Sequence, residues 1–186
     1  MLFIVQARQG SERFPNKCFE EINGEYVIEL LNRRIKQSDY YDDNIIYVVP
    51  PQDTTLRNYL EQEGIEYVHS SDEDVWIGYA NALNTYDTDI AVRVTADSPM
   101  IDINKMDQSI KLMEKGYEYV TDEIGTLGTI VECFKPDSFI KHFPETKADR
   151  MNVTPAIRRK SQNKLIKSLM VDYPEAIRHI EGHING

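Results

Sequence analysis

The chain has 186 residues, 41% of them hydrophobic, and a formal net charge of −10. That length and apolar content suit one globular domain, 1–186, rather than a disordered chain. The acidic balance argues against a nucleic-acid binder, which needs a broad basic face, but a local cation cluster can still hold a nucleotide. Cys18 and Cys133 form no CxxC and no zinc pattern, so reduced thiols in a cytoplasmic setting are expected. The apolar run at residues 2–5 is too short for a signal peptide or a membrane span, so no membrane partner is expected.

Taken in chain order, residues 2–5 read as a buried strand leading into a basic loop at 8–17. Helix spacing of Val27, Leu30, Leu31 and Ile35 predicts a helix over 26–36, after a turn at Asn23-Gly24. A second strand at 45–49 stops at Pro50-Pro51, and a helix over 53–63 closes at Gly64 with Asp53 or Thr54 as its cap. Further strands are predicted at 65–68, 91–94, 117–121 and 129–134, and further helices at 75–86, 103–115 and 136–142. The last third is less regular: a turn or helix at 155–160, a strand at 165–171 and a helix at 174–184. Alternating strands and helices predict an α/β fold, a mostly parallel sheet with helices on both faces.

The loop after the first strand carries Arg8, Arg13 and Lys17 with Gly10, Ser11 and Pro15. Ligands of open α/β sheets bind at the carboxyl ends of strands. Small residues, free backbone N–H groups and cations there suit a polyphosphate. Neither the P-loop nor the G-x-G-x-x-G pattern is present, and the plainer reading is a solvated basic loop.

A second constellation follows the 91–94 strand. Asp97 sits just past the strand end, where a carboxylate can hold Mg²⁺ beside phosphates, and Pro99 keeps its loop non-helical. Asp102 reads better as a helix cap than as a catalytic acid. Ser70 to Asp74 is rich in hydroxyls and carboxylates, which also suits a helix cap. Glu132 stands in an apolar strand, as a metal ligand, a sugar contact or an outward-facing edge residue. Arg158, Arg159 and Lys160 read as a solvated helix face. His179 and His183 lack the H-E-x-x-H pattern and read as surface or packing residues.

The order of residues resembles the sugar nucleotidyltransferases, closest to the cytidylyltransferase branch that includes spore coat polysaccharide biosynthesis protein F. Ala7, Arg8, Gly10, Ser11, Arg13, Pro15 and Lys17 match its A-R-x-G-S-T-R-L-P-G-K loop, and Glu12, Phe14 and Asn16 depart from it. Arg93, Thr95, Asp97, Pro99, Ile101 and Asp102 match R-x-T-x-D-x-P-x-I-D. Ser71, Asp74, Val75 and Tyr79 match a third element, in which Gly78 replaces an arginine. Glu132 falls in a V-E-x-F element. Met151, Asn152 and Ala156 replace the acid, histidine and tyrosine of an E-H-V-T-P-Y-I element.

The resemblance implies a Rossmann-like three-layer sandwich of the nucleotide-diphospho-sugar transferase type with a mostly parallel mixed sheet. It implies transfer of a cytidylyl group from CTP to a sugar or sugar phosphate, with Mg²⁺ as cofactor, for surface polysaccharide or glycan precursor synthesis. A homodimer is compatible with it. Arg13, Lys17 and Asp97 become the catalytic set. Ala7, Arg8, Gly10, Ser11, Ser71, Asp74 and Arg93 join the nucleotide site, and Asp97 and Glu132 become metal ligands. Two alternatives stand beside this reading. One is a nucleotide-sugar-dependent glycosyltransferase, for which Asp87-Thr88-Asp89 has the D-x-D form but precedes its strand. The other is a non-catalytic nucleotide-binding relative.

Overall fold

The computed structural model describes residues 1–10, 16–121 and 131–166. Seven strands form one sheet: β1 (Leu2–Gln6), β4 (Ile45–Val49), β5 (Glu66–His69), β6 (Ala91–Thr95), β7 (Tyr119–Thr121), β8 (Glu132–Phe134) and β9 (Lys164–Ile166). Their order across the sheet is β5-β4-β1-β6-β8-β7-β9. β8 runs antiparallel to both of its neighbours, and the other pairings are parallel. This is the expected α/β architecture with a mixed, mostly parallel sheet. A two-stranded hairpin, β2 (Glu21–Ile22) and β3 (Glu25–Tyr26), turns at Asn23-Gly24, where both residues take positive φ. The sequence reading placed only a turn there.

Alternation along each strand sends successive side chains to opposite faces. Phe3 and Val5 of β1 join a core covered by α1 (Val27–Ile35), α2 (Thr54–Gln62) and α4 (Ile103–Met113). Leu2 and Ile4 join a second core under α3 (Val75–Thr85), α5 (Pro136–Lys141) and α7 (Pro155–Lys160). Burial on both faces is why these strands read as unbroken apolar runs. A further helix that the sequence reading did not place, α6 (Lys147–Asn152), packs on α3. Residues 129–130 of the predicted sixth strand, most of the 165–171 strand and the 174–184 helix lie outside the described residues.

The glycine at 78 reports the closeness of α3 to the sheet. A Cβ there would fall 2.4 Å from Val48 Cγ1 and 2.7 Å from Ser70 Cβ. The position is closed by packing, so an arginine side chain has no room at it. The glycine that replaces the resemblance's arginine thus goes with the close seating of this helix on β4 and the residue after β5.

From β1 the chain moves outward to β4 and β5, then returns to lay β6 on the other side of β1. That reversal opens a crevice at the carboxyl ends of β1 and β6, the usual ligand position in such sheets. Among the described residues, no helix is long and apolar enough to cross a membrane.

Candidate active site

The backbone carries both strands into the crevice in register. Ala96 N–H donates to Gln6 O at 2.9 Å, one residue beyond β6, and Asp97 follows directly. On the β1 side, Ala7 is buried and its N–H donates to Val48 O at 3.1 Å. Arg8 and Gly10 are exposed. Asn16 N–H donates to Gln9 O at 3.1 Å, and Gln9 Nε2 donates to Asn16 Oδ1 at 2.9 Å. These two bonds close the neck of the loop. Ser11 and Arg13 lie between them, outside the described residues.

Lys17 opens a 3₁₀ turn, Lys17–Phe19, and its ammonium forms an ion pair with the Asp97 carboxylate. Eighty positions apart in sequence, the two meet because β1 and β6 are adjacent. Their side chains remain 26% and 38% exposed. Partial burial disfavours the Asp97 anion, but hydrogen bonds from Lys17 and Thr95, with the Lys17 charge, outweigh it and hold the carboxyl below its usual range. The Asp97 loop is fixed by Thr95 and Ser98, whose hydroxyls lie 2.8 Å apart. Asp102 accepts from Lys105 N–H at 3.1 Å and caps α4 as expected.

Asp53, expected from the sequence as a possible helix cap, has a different role. It holds the N-cap position of α2, yet its side chain makes no cap bond. Instead it accepts Gln9 N–H at 2.7 Å and is buried, tethering the basic loop to the β4–α2 turn. A cap and a tether look alike in sequence: each is an acid at the start of a helix.

Arg93 and Glu132 form the layer beneath the crevice on the α3 face. Arg93 pairs with Glu132 through Nη1, and its Nη2 donates to Gln6 Oε1 at 3.1 Å. Glu132 also accepts from Tyr119 OH and, at 2.6 Å, from Thr154 Oγ1. Burial alone would push the Glu132 carboxyl up; the Arg93 charge and these donors reverse that and hold it below its usual range. The expectation of Glu132 as a metal ligand therefore needs correction: three donors from the protein already occupy its oxygens. Arg93 likewise faces Glu132 and Gln6, so the geometry gives it a supporting rather than a nucleotide-contacting place. Thr154 follows Val153, a buried β-branched residue at φ 73 and ψ −62. That strained turn delivers the hydroxyl to Glu132.

Ser71 and Asp74 lie on the β5–α3 turn. Ser71 Oγ accepts from Asp74 N–H at 2.9 Å, and Asp74 accepts from Ile77 N–H at 3.1 Å and from Arg150 Nη1 at 2.6 Å. Asp74 thus caps α3 and anchors α6, Ser71 holds the Asp74 backbone, and the Arg150 guanidinium lies 4.6 Å from the Phe143 ring centroid. Met151 is 38% exposed, and Asn152 donates back to Ala148 O in its own helix. The basic run is an ion-paired surface: Arg159 is bidentate to Asp149, and Lys160 pairs with Glu145. Asp87-Thr88-Asp89 stands at the amino end of β6, the opposite end of the strand from Asp97. His179 and His183 lie outside the described residues.

The sequence profile described as Cytidylyltransferase matches residues 2–183. An uncharacterized protein of Methanocaldococcus jannaschii is 29% identical over 94% of this chain and 73% of its own length. The spore coat polysaccharide biosynthesis protein SpsF of Bacillus subtilis is 26% identical over 72% of this chain and 59% of its own length, so the chain matches little more than half of that relative. Among solved structures, a cytidylyltransferase from Leptospira borgpetersenii superposes with a TM-score of 0.79 at 21% identity, covering 99% of this chain and 86% of that one. A CMP:2-keto-3-deoxy-manno-octonic acid synthetase complexed with CTP gives 0.68 at 12% identity, covering 99% and 98%. At those identities the two structures speak for the fold, and the profile match over nearly the whole length decides the grouping: the chain belongs to the cytidylyltransferase family.

Proposed function

We propose that this chain transfers a cytidylyl group from CTP to an oxygen of a sugar or sugar phosphate, releasing pyrophosphate. The observation that carries the reading is the meeting of Lys17 and Asp97 at the crevice between β1 and β6, beside the glycine-bearing loop. The acceptor oxygen forms a new bond to the α-phosphorus. The bond from that phosphorus to the bridging oxygen breaks, and pyrophosphate leaves with the electron pair. Such a transfer rests on positioning and charge neutralisation.

Each cation then has a task. Arg13 and Lys17 hold the β- and γ-phosphates, and Ser11 with the Gly10 backbone adds hydrogen bonds. Lys17 keeps Asp97 ionised before the nucleotide arrives and donates to phosphate oxygens afterwards. Among the described residues no cluster of three acids, histidines or cysteines is placed to cage a metal. A lone, half-exposed carboxylate fits Mg²⁺ shared with substrate phosphates, since that ion is commonly bound by one or two carboxylates plus the nucleotide. Held by Asp97, Mg²⁺ supplies charge neutralisation of the triphosphate and the leaving pyrophosphate.

For the base, the backbone at the end of β1 is the reader. Ala7 N–H is engaged by Val48 and Gln9 N–H by Asp53, which leaves the backbone of Arg8 and Gly10 for the cytosine edge. The glycosyltransferase alternative loses support because its D-x-D segment sits at the wrong end of β6.

A pyrophosphate-release assay with each of the four triphosphates and a panel of sugars and sugar phosphates tests the proposal. Release with CTP and at least one acceptor supports it. Release independent of any acceptor sugar, or none with CTP across the panel, contradicts it.

A further inference from the structure

A groove of about 530 Å³ runs beside the loop, between the outer face of α2 and the β2–β3 hairpin. That volume lies within the range of small-molecule sites, roughly 300–1,000 Å³. From α2 it takes Thr55, Asn58, Tyr59 and Gln62, which share one face of the helix by their spacing. Across from them stand Phe19 and Tyr26. Gln9 and Asn16, the two amides that close the loop neck, form its end wall.

Two properties define what fits. First, among the described residues no charged side chain lines the groove, although 28% of the chain is charged. Against those residues a phosphate or carboxylate would meet no counter-charge and would lose its hydration uncompensated. Second, the wall is aromatic and the rim is amide. Phe19 meets Tyr26 edge-on at 5.8 Å and 89°, and Tyr59 at 5.6 Å and 80°. Rings packed edge to face make an angled wall against which one apolar face of a ligand can rest, not the pair of parallel plates that sandwiches a flat base. Each amide offers a donor and an acceptor, which matches neighbouring hydroxyls that also do both.

We propose that this groove binds a neutral, hydroxyl-rich sugar ring, one C–H face on the aromatic wall and its hydroxyls on Asn58, Gln62 and the neck amides. The site is separate from the Lys17–Asp97 crevice and does not rest on the reading of that crevice. It shares Gln9 and Asn16 with the loop neck.

Saturation-transfer difference NMR on the full chain tests this with methyl glucopyranoside, methyl galactopyranoside and methyl mannopyranoside as probes and cytidine as competitor. At least one pyranoside should receive saturation on its ring protons. Asn58→Leu and Gln62→Leu, both at exposed positions, should each weaken that binding roughly fivefold, the worth of one lost hydrogen bond. Thermal transitions matching the parent chain confirm that both variants are folded. Three results overturn the proposal: no transfer to any of the three probes, transfer unchanged in both variants, or displacement of the pyranoside by cytidine.

Discussion

Arg93 and Glu132 are register partners on β6 and β8, joined by guanidinium and carboxylate with side chains only 18% and 11% exposed. Removing one member of such a pair strands the other charge. Glu132→Gln should therefore lower unfolding free energy by about 3–5 kcal/mol. Thr154→Val removes one hydrogen bond to the same carboxylate and should cost about 1–2 kcal/mol. Urea denaturation of both variants checks the order. A Glu132→Gln chain of unaltered stability but raised Mg²⁺ requirement would restore Glu132 to the metal.

The same carboxylate predicts acid sensitivity. Glu132 is held below its ordinary value of 4.5 in the folded chain, so the unfolded chain binds its proton first as pH falls. The stability it contributes is fully present above that ordinary value and is lost as pH drops through the folded value. Urea midpoints measured from neutral pH down to about pH 3, below the ordinary carboxylate range, should fall. Glu132→Gln should flatten that fall.

Gly78→Ala sets helix propensity against space. Alanine in a helix interior gains about 1 kcal/mol over glycine. Its methyl would meet Val48 and Ser70 at 2.4 and 2.7 Å, and overpacking of this kind costs about 1–3 kcal/mol. Ser70 Cβ is fixed to the backbone, so the clash should win. A net loss of roughly 1 kcal/mol by thermal or urea unfolding is expected; a gain would mean that α3 can lift off β4 freely.

Much of this was legible in the chain itself, for physical reasons. β1, β4 and β6 are buried on both faces, so their apolar runs stand out whatever surrounds them. The Asp97 loop was readable because proline and an acid follow a strand end. Register was not readable: nothing local tells that Glu132 lands opposite Arg93, or that Tyr119 and Thr154 reach the same oxygens. The hairpin escaped because its strands are two residues each, and α6 because six residues give too little periodicity. Asp53 was readable only as a cap, because a tether to Gln9, forty-four positions away, has no sequence signature.

Asp53 supplies its own test. Asp53→Ala deletes a buried, charge-assisted acceptor of Gln9 N–H and should cost about 1.5–3 kcal/mol of stability. It should also weaken CTP binding, because the loop loses its anchor to the β4–α2 turn. Calorimetric titration alongside urea unfolding separates the two effects, and a variant with wild-type stability and CTP affinity would show that the tether is idle.

The most direct measurement is calorimetric titration of CTP and CMP, with Mg²⁺, into the parent chain, Lys17→Ala and Asp97→Asn. CTP should bind the parent chain, and Lys17→Ala should weaken it roughly tenfold to hundredfold, the scale of one charged hydrogen bond. CMP should be affected much less by that change. Asp97→Asn should stay folded and lose the Mg²⁺ dependence of CTP binding. If CTP does not bind, or if Lys17→Ala weakens CTP and CMP equally, the crevice between β1 and β6 is not a triphosphate site.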